Sequence, residues 1–181
     1  MELIGIKALV DPFLEGTWKN IGIPGQDRKT TPGADQLLST KNGPSYSWQA
    51  MNRVDTTLAD DVAAQRRMDN DKRLALRTLK VGKHLFFAMR NPVRSPEGKQ
   101  NGVISRYEVQ GDLLLEDFIN NDAALDFLKA KHPAARNIHE NRAEGRYVVI
   151  DTFDDEVFQI LSEISDDAAY WRLDSQYNKA P

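Results

Sequence analysis

RLALRTLKVGKHLFFAMRNPVRSPEGKQNGVISRYEVQG, residues 73–111, is the stretch whose reading decides the fold. His84–Arg90 (HLFFAMR) is apolar on both faces, as a strand covered on both sides must be. Before it, Arg73–Val81 reads as a strand with imperfect alternation, the alternative being a helix through Leu76 and Leu79. Gly82 supplies the turn between the two. After it, Asn91–Asn101 holds Pro92, Pro96 and Gly98 and reads as the surface loop of a hairpin. The returning segment sets Val103, Tyr107 and Val109 on one face against Arg106 and Glu108 on the other, the pattern of a half-exposed strand.

Working outward, Asp112 opens an expected helix in which Leu114, Phe118, Leu125 and Leu128 keep helical spacing as far as Lys131, with Asn120-Asn121-Asp122 as a point of division. His132-Pro133 stops it. Arg146–Phe153 reads as a buried strand. Asp154 is then an N-cap, and Val157, Ile160, Leu161 and Ile164 form the inward stripe of a following helix. Ser165 caps a short last helix holding Tyr170, Trp171 and Leu173, and residues from Ser175 onward read as a fraying tail.

Towards the N-terminus, Thr57-Leu58-Ala59-Asp60 matches a capping box that starts a helix running to Met68. Upstream, Pro24-Gly25, Pro32-Gly33 and Gly43-Pro44 break the chain repeatedly, so residues 18–47 read as a long arm docked through Trp18, Ile21, Ile23, Leu37, Leu38 and Trp48. The apolar run Leu3–Val10 is a short strand or the opening of a buried helix, ended by Pro12. A run of strands followed by helices and one later strand predicts an α+β fold. That fold is an antiparallel meander, with strands near 73–81, 84–90, 102–110 and 146–153 and helices packed on one face. At 181 residues the chain is expected to form a single domain, 1–181.

Charge is uneven along the chain. Residues 1–62 carry 6 Lys/Arg against 8 Asp/Glu, residues 63–110 carry 11 against 4, and residues 111–181 carry 7 against 15. Such asymmetry points to an anionic partner for the middle segment, or to the two halves of opposite sign meeting. Arg90, Arg94, Lys99 and Arg106 gather on the expected hairpin and are the candidate anion- or partner-binding residues. Tyr107 is the one aromatic side chain interleaved with them, fewer than single-strand binders offer.

The sequence has no cysteine, which excludes a disulfide framework, a thiolate metal site and a cysteine nucleophile. His132, His139 and Glu140 lack a recognised metal-ligand spacing, so no metal and no cofactor is expected. No phosphate loop and no nucleophile elbow is present: GIPGQDRKT lacks the spacing of the former. With no basic lead-in, no apolar run of about 18 residues and no cysteine, a cytoplasmic location without a membrane partner follows.

The expected function is a small cytoplasmic binding or accessory protein acting by protein–protein contact. It would self-associate between the basic hairpin and the acidic C-terminal surface. Two alternatives use the same arginines: binding of nucleic acid or a nucleotide or other phosphate ligand, and an enzyme on a phosphate-bearing substrate with Asp151 or Glu108 as base.

Overall fold

The computed structural model describes residues 11–23, 25, 35–43, 45–52, 60–90, 102–141 and 147–181, with Asp61 and Arg90 described by their backbone. Ten strands are present in this part of the chain. They are β1 (Gly16–Asn20), β2 (Gln36–Asn42), β3 (Ser45–Ala50), β4 (Arg73–Val81), β5 (His84–Arg90), β6 (Gly102–Gln110), β7 (Leu113–Ile119), β8 (Ile138–Asn141), β9 (Tyr147–Ile150) and β10 (Trp171–Lys179). Strands β1 to β7 pair in sequence order, and β10 enters between β7 and β1, so eight strands close into an antiparallel barrel. The pair β8–β9 hangs on the wall of the barrel through the single register contact Gly102↔Ile150.

Short turns close one end. Val81 pairs with His84 and Gln110 with Leu113, leaving the two-residue turns Gly82-Lys83 and Gly111-Asp112. Gly82 and Gly111 have φ of 59° and 62°, the left-handed geometry these tight hairpins require at their first position. A 3₁₀ turn at Pro12–Leu14 plugs the same end. Its Asp11 carbonyl accepts from the Tyr46 hydroxyl, and its carboxylate accepts from the Tyr107 hydroxyl at 3.1 Å. The Leu14 carbonyl accepts from the Trp18 indole at 2.9 Å. Burial and the Asp11 carboxylate push the pKa of the Tyr107 phenol well above its ordinary range, so it stays a donor.

Two apolar cores result from the alternation of the strands. Inside the barrel, Trp18, Tyr46, Trp48, Leu76, Phe87, Tyr107, Leu114 and Tyr177 pack together with Leu14 of the plug. On the outer wall, Leu79, Val81, Phe86, Ala88, Ile104 and Trp171 meet the helices α2 (Asn121–Lys131) and α3 (Asp155–Ile164), which are inserted with β8 and β9 between β7 and β10. A further helix, α1 (Asp60–Asp71), connects β3 to β4 at the end opposite the plug.

This architecture corrects the expected α+β meander. Strands lie at 73–81, 84–90 and 102–110 as expected, and the fourth, near 146–153, is the short β9. The span 18–47 holds two strands and the start of a third, the first half of the expected helix at 112–131 is β7, and the expected tail is β10. These additions carry the sheet round until it meets itself. A closed sheet offers an inside and an outside in place of two open faces, and the helical insert covers part of the outside. The run Leu3–Val10, the threonine of the capping box and the hairpin loop 91–101 lie outside the described residues.

Candidate functional site

The barrel interior ends, away from the plug, in a cavity of about 430 Å³. Its floor is made by inward side chains of three successive strands: Leu37 pairs in register with Ala50, and Trp48 with Leu74. Its wall is the polar edge of α1, with Arg66 and Asp69, together with Asn52 and Lys72. Trp48 is fixed from two sides. Its indole N–H donates to Ser39 Oγ at 3.0 Å, and its ring meets Phe87 edge-on at 4.7 Å between centroids. A buried tryptophan so held presents a rigid apolar surface upward.

Helix α1 is tied over this mouth by hydrogen bonds. The Asn70 side chain accepts from the Asn52 amide at 2.6 Å and donates to the Asn52 carbonyl at 3.0 Å, while Gln49 donates to the Asn70 carbonyl at 2.9 Å. Arg66 reaches Asp35 at 2.9 Å, and Lys72 reaches Asp69 at 3.0 Å. Both ion pairs are a third or more exposed, so each holds its partner weakly.

Deeper in the barrel is one anomalous group. Glu116 on β7 is buried and points inward, opposite Tyr107 on β6 and Ser175 on β10. It accepts from the Ser105 hydroxyl at 2.7 Å. Burial raises its pKa from 4.5 to about 7, against the lowering effect of the serine, with the Asp174 and Asp117 carboxylates adding to the rise.

A second concavity, of about 710 Å³, lies at the plugged end beside the exposed Phe13. It is bordered by Lys83, His84, Arg106, Glu108 and Asp117. Asp166, from the segment after α3, accepts from His84 at 2.6 Å and from Lys83 at 3.0 Å, and these two partners hold its pKa below the ordinary range.

Of the four candidate residues read from the sequence, Arg94 and Lys99 lie outside the described residues. Arg90 ends β5, its backbone in register with Gly102. Arg106 is committed internally: it donates to Asp117 at 2.6 and 3.0 Å and to the Ser165 carbonyl at 2.8 Å, and it lies 5.2 Å from the centroid of the Trp171 ring. It therefore clamps the barrel to the insert. Asp151, the other acid singled out, sits 3.2 Å from His139 Nε2 on the insert, while Glu108 shares the plugged-end groove with Arg106. Among the described residues no cluster of His, Asp and Glu is arranged to hold a metal, and no helix is long and apolar enough to cross a membrane.

The mouth itself is not legible in the sequence. Trp18 and Trp48 read there as anchors of an arm, and their true signal is alternation: Leu37 and Ser39, and Tyr46 and Trp48, stand two apart on inward faces. No protein-family model, no curated protein and no solved structure matches this chain.

Proposed function

We propose that the protein is a small binding protein that holds a compact, largely apolar ligand at the mouth of its barrel. An eight-stranded barrel is just wide enough either to be filled by side chains or to hold one small molecule. Here the plugged half is filled. The observation that carries the reading is the cavity of about 430 Å³ floored by Leu37, Trp48, Ala50 and Leu74, a size and lining in the range of small-molecule sites. The cysteine-free sequence supports a reducing, cytoplasmic setting.

Ala50→Trp fills the mouth from a residue that is only half buried. Titration with naphthalene-type probes, followed by the Trp48 indole N–H resonance, is expected to give binding in the wild type and loss of about tenfold or more in affinity in the variant. Equal affinity in both removes the mouth as the site.

The charge asymmetry between residues 63–110 and 111–181 favours a second activity, self-association or contact with an acidic partner through the basic tip of the β5–β6 hairpin. Light scattering is expected to show association that weakens as salt is added. A monomer at every salt concentration, with no partner recovered in pull-downs, removes this reading.

A further inference from the structure

The three α-helices are held to the barrel in different ways. Helix α3 buries Val157, Ile160, Leu161 and Ile164, and α2 buries Ala124, Leu125 and Leu128. In α1 the one buried side chain among the described residues is Ala63, and the two larger apolar side chains, Val62 and Met68, are 43% and 53% exposed. A helix of 12 residues is too short to be stable in water by propensity alone, so apolar packing normally fixes it. For α1 that packing is nearly absent, although the helix forms one wall of the barrel mouth through Arg66 and Asp69.

Polar ties hold it instead, and they are unevenly placed. At the C-terminal end the Asn70 side chain grips both the amide and the carbonyl of Asn52, and Gln49 donates to the Asn70 carbonyl. Lys72 alone separates this end of the helix from β4. Nearer the middle, Arg66 reaches Asp35, one residue before β2, at 2.9 Å, and both side chains of the pair are a third or more exposed. An exposed ion pair is weak and is screened by salt. Elements with few buried apolar contacts open at a small free energy, separately from global unfolding. Pivoting about Asn70 would carry Arg66 and Asp69 away from the floor of Leu37, Trp48, Ala50 and Leu74.

We propose that α1 is a lid on the barrel mouth, hinged at Asn70 and latched by the Arg66–Asp35 pair, which lifts to admit the ligand and settles over it. This role rests on the mouth being the ligand site, so the motion of the helix and its effect on binding are measured separately.

Hydrogen exchange on the intact protein, without ligand, measures the motion. The hydrogen-bonded amides of α1 are expected to exchange about a hundredfold or more faster than those of α3. Equal protection of the two helices overturns the lid, whatever the mouth binds. For the effect on binding, the absence of cysteine means that Asp35→Cys/Arg66→Cys introduces the only two thiols. A short bismaleimide joins them and fixes the lid, while the same variant with both thiols capped by N-ethylmaleimide carries similar bulk with the latch open. Stopped-flow mixing with a naphthalene-type probe is expected to show association and dissociation about tenfold or more slower in the joined form than in the capped form. Equal rates in the two forms overturn the lid and leave the mouth as the site. Absence of binding by the wild type removes the mouth as the site, and the lid's role with it, even where hydrogen exchange shows the helix opening.

Discussion

Replacing Glu116 by Gln is expected to stabilise the protein at pH 8 by about 3 kcal/mol and to leave its stability near pH 4 unchanged. The sign follows from the direction of the shift. Burial raises the carboxyl from 4.5 to about 7, so between these values the folded state holds a proton that the unfolded state has released. Folding is then favoured by protons, and wild-type stability falls as the pH rises from 4.5 towards 7. Above 7 the folded state carries a buried carboxylate, and the penalty of the full shift, at about 1.4 kcal/mol per tenfold, is in place. Of the surrounding groups only the Ser105 hydroxyl, which donates to Glu116, opposes this, and burial outweighs it. Tyr107 and Tyr177 are both pushed above their ordinary range and remain neutral, while Asp174 and Asp117 are like charges. The Glu116→Gln variant keeps an acceptor for the Ser105 hydroxyl and removes the titration. Urea denaturation at several pH values measures the effect, and a wild type and variant that differ by the same amount at pH 4 and pH 8 would refute it.

Glu116 also explains why β7 is hard to read. A strand of the barrel puts Leu114, Glu116 and Phe118 inward, and a charged residue in the middle of the inward row destroys the period-2 signal. What is left, Leu114, Phe118, Leu125 and Leu128, has helical spacing, so the segment reads as part of the helix that begins only at Asn121. Strand β10 hides itself similarly. A bulge between Leu173 and Ser175 shifts the alternation, and Ser175 takes an inward position that an apolar residue would have advertised. In β2, Ser39 is buried as the acceptor for Trp48, so its row also reads as polar. The barrel closes through the strands whose inward rows contain polar groups. Glu116 and Ser39 are satisfied by hydrogen bonds from neighbouring strands, which no pattern within one strand displays.

The stretch from Arg73 to Gly111 is legible because most of its polar residues sit where a sheet leaves them exposed or at turns, and its buried Thr78 and Ser105 are small and uncharged among apolar neighbours. Its strand bounds agree with the structure, and so does the α3 cap, where Asp154 accepts from the Val157 amide at 3.1 Å. The apolar character of β5 on both faces has a cause other than two layers of helices. Phe86 points outward to Trp171, at 5.4 Å between ring centroids, and Phe87 points into the barrel. The clustering of charge is legible too, but charge counts carry no partners. The ion pair of Arg106 with Asp117 arises from the β6–β7 register and becomes visible only with the fold.

Phe87 stands between the filled half of the barrel and its mouth, and Phe87→Ala is expected to cost about 4 kcal/mol. The ring is fully buried, stacked on Tyr107 at 3.9 Å between centroids and edge-on to Trp48 at 4.7 Å. Truncation removes both contacts along with the apolar surface, and the closed wall of hydrogen-bonded strands limits how far the neighbours can collapse into the space. The void forms directly beneath Trp48, so the floor of the mouth loses its support while a new apolar chamber opens below it. Two measurements follow. Urea denaturation gives the loss of stability, and a loss below about 1 kcal/mol would mean that the ring is not the keystone of the inner core. Benzene, which is small enough to replace the missing ring, is expected to raise the melting temperature of the variant more than that of the wild type, because it binds only the folded state that contains the chamber. If benzene stabilises both proteins equally, the chamber has collapsed, and the inner core of this barrel is more deformable than its hydrogen-bonded wall implies.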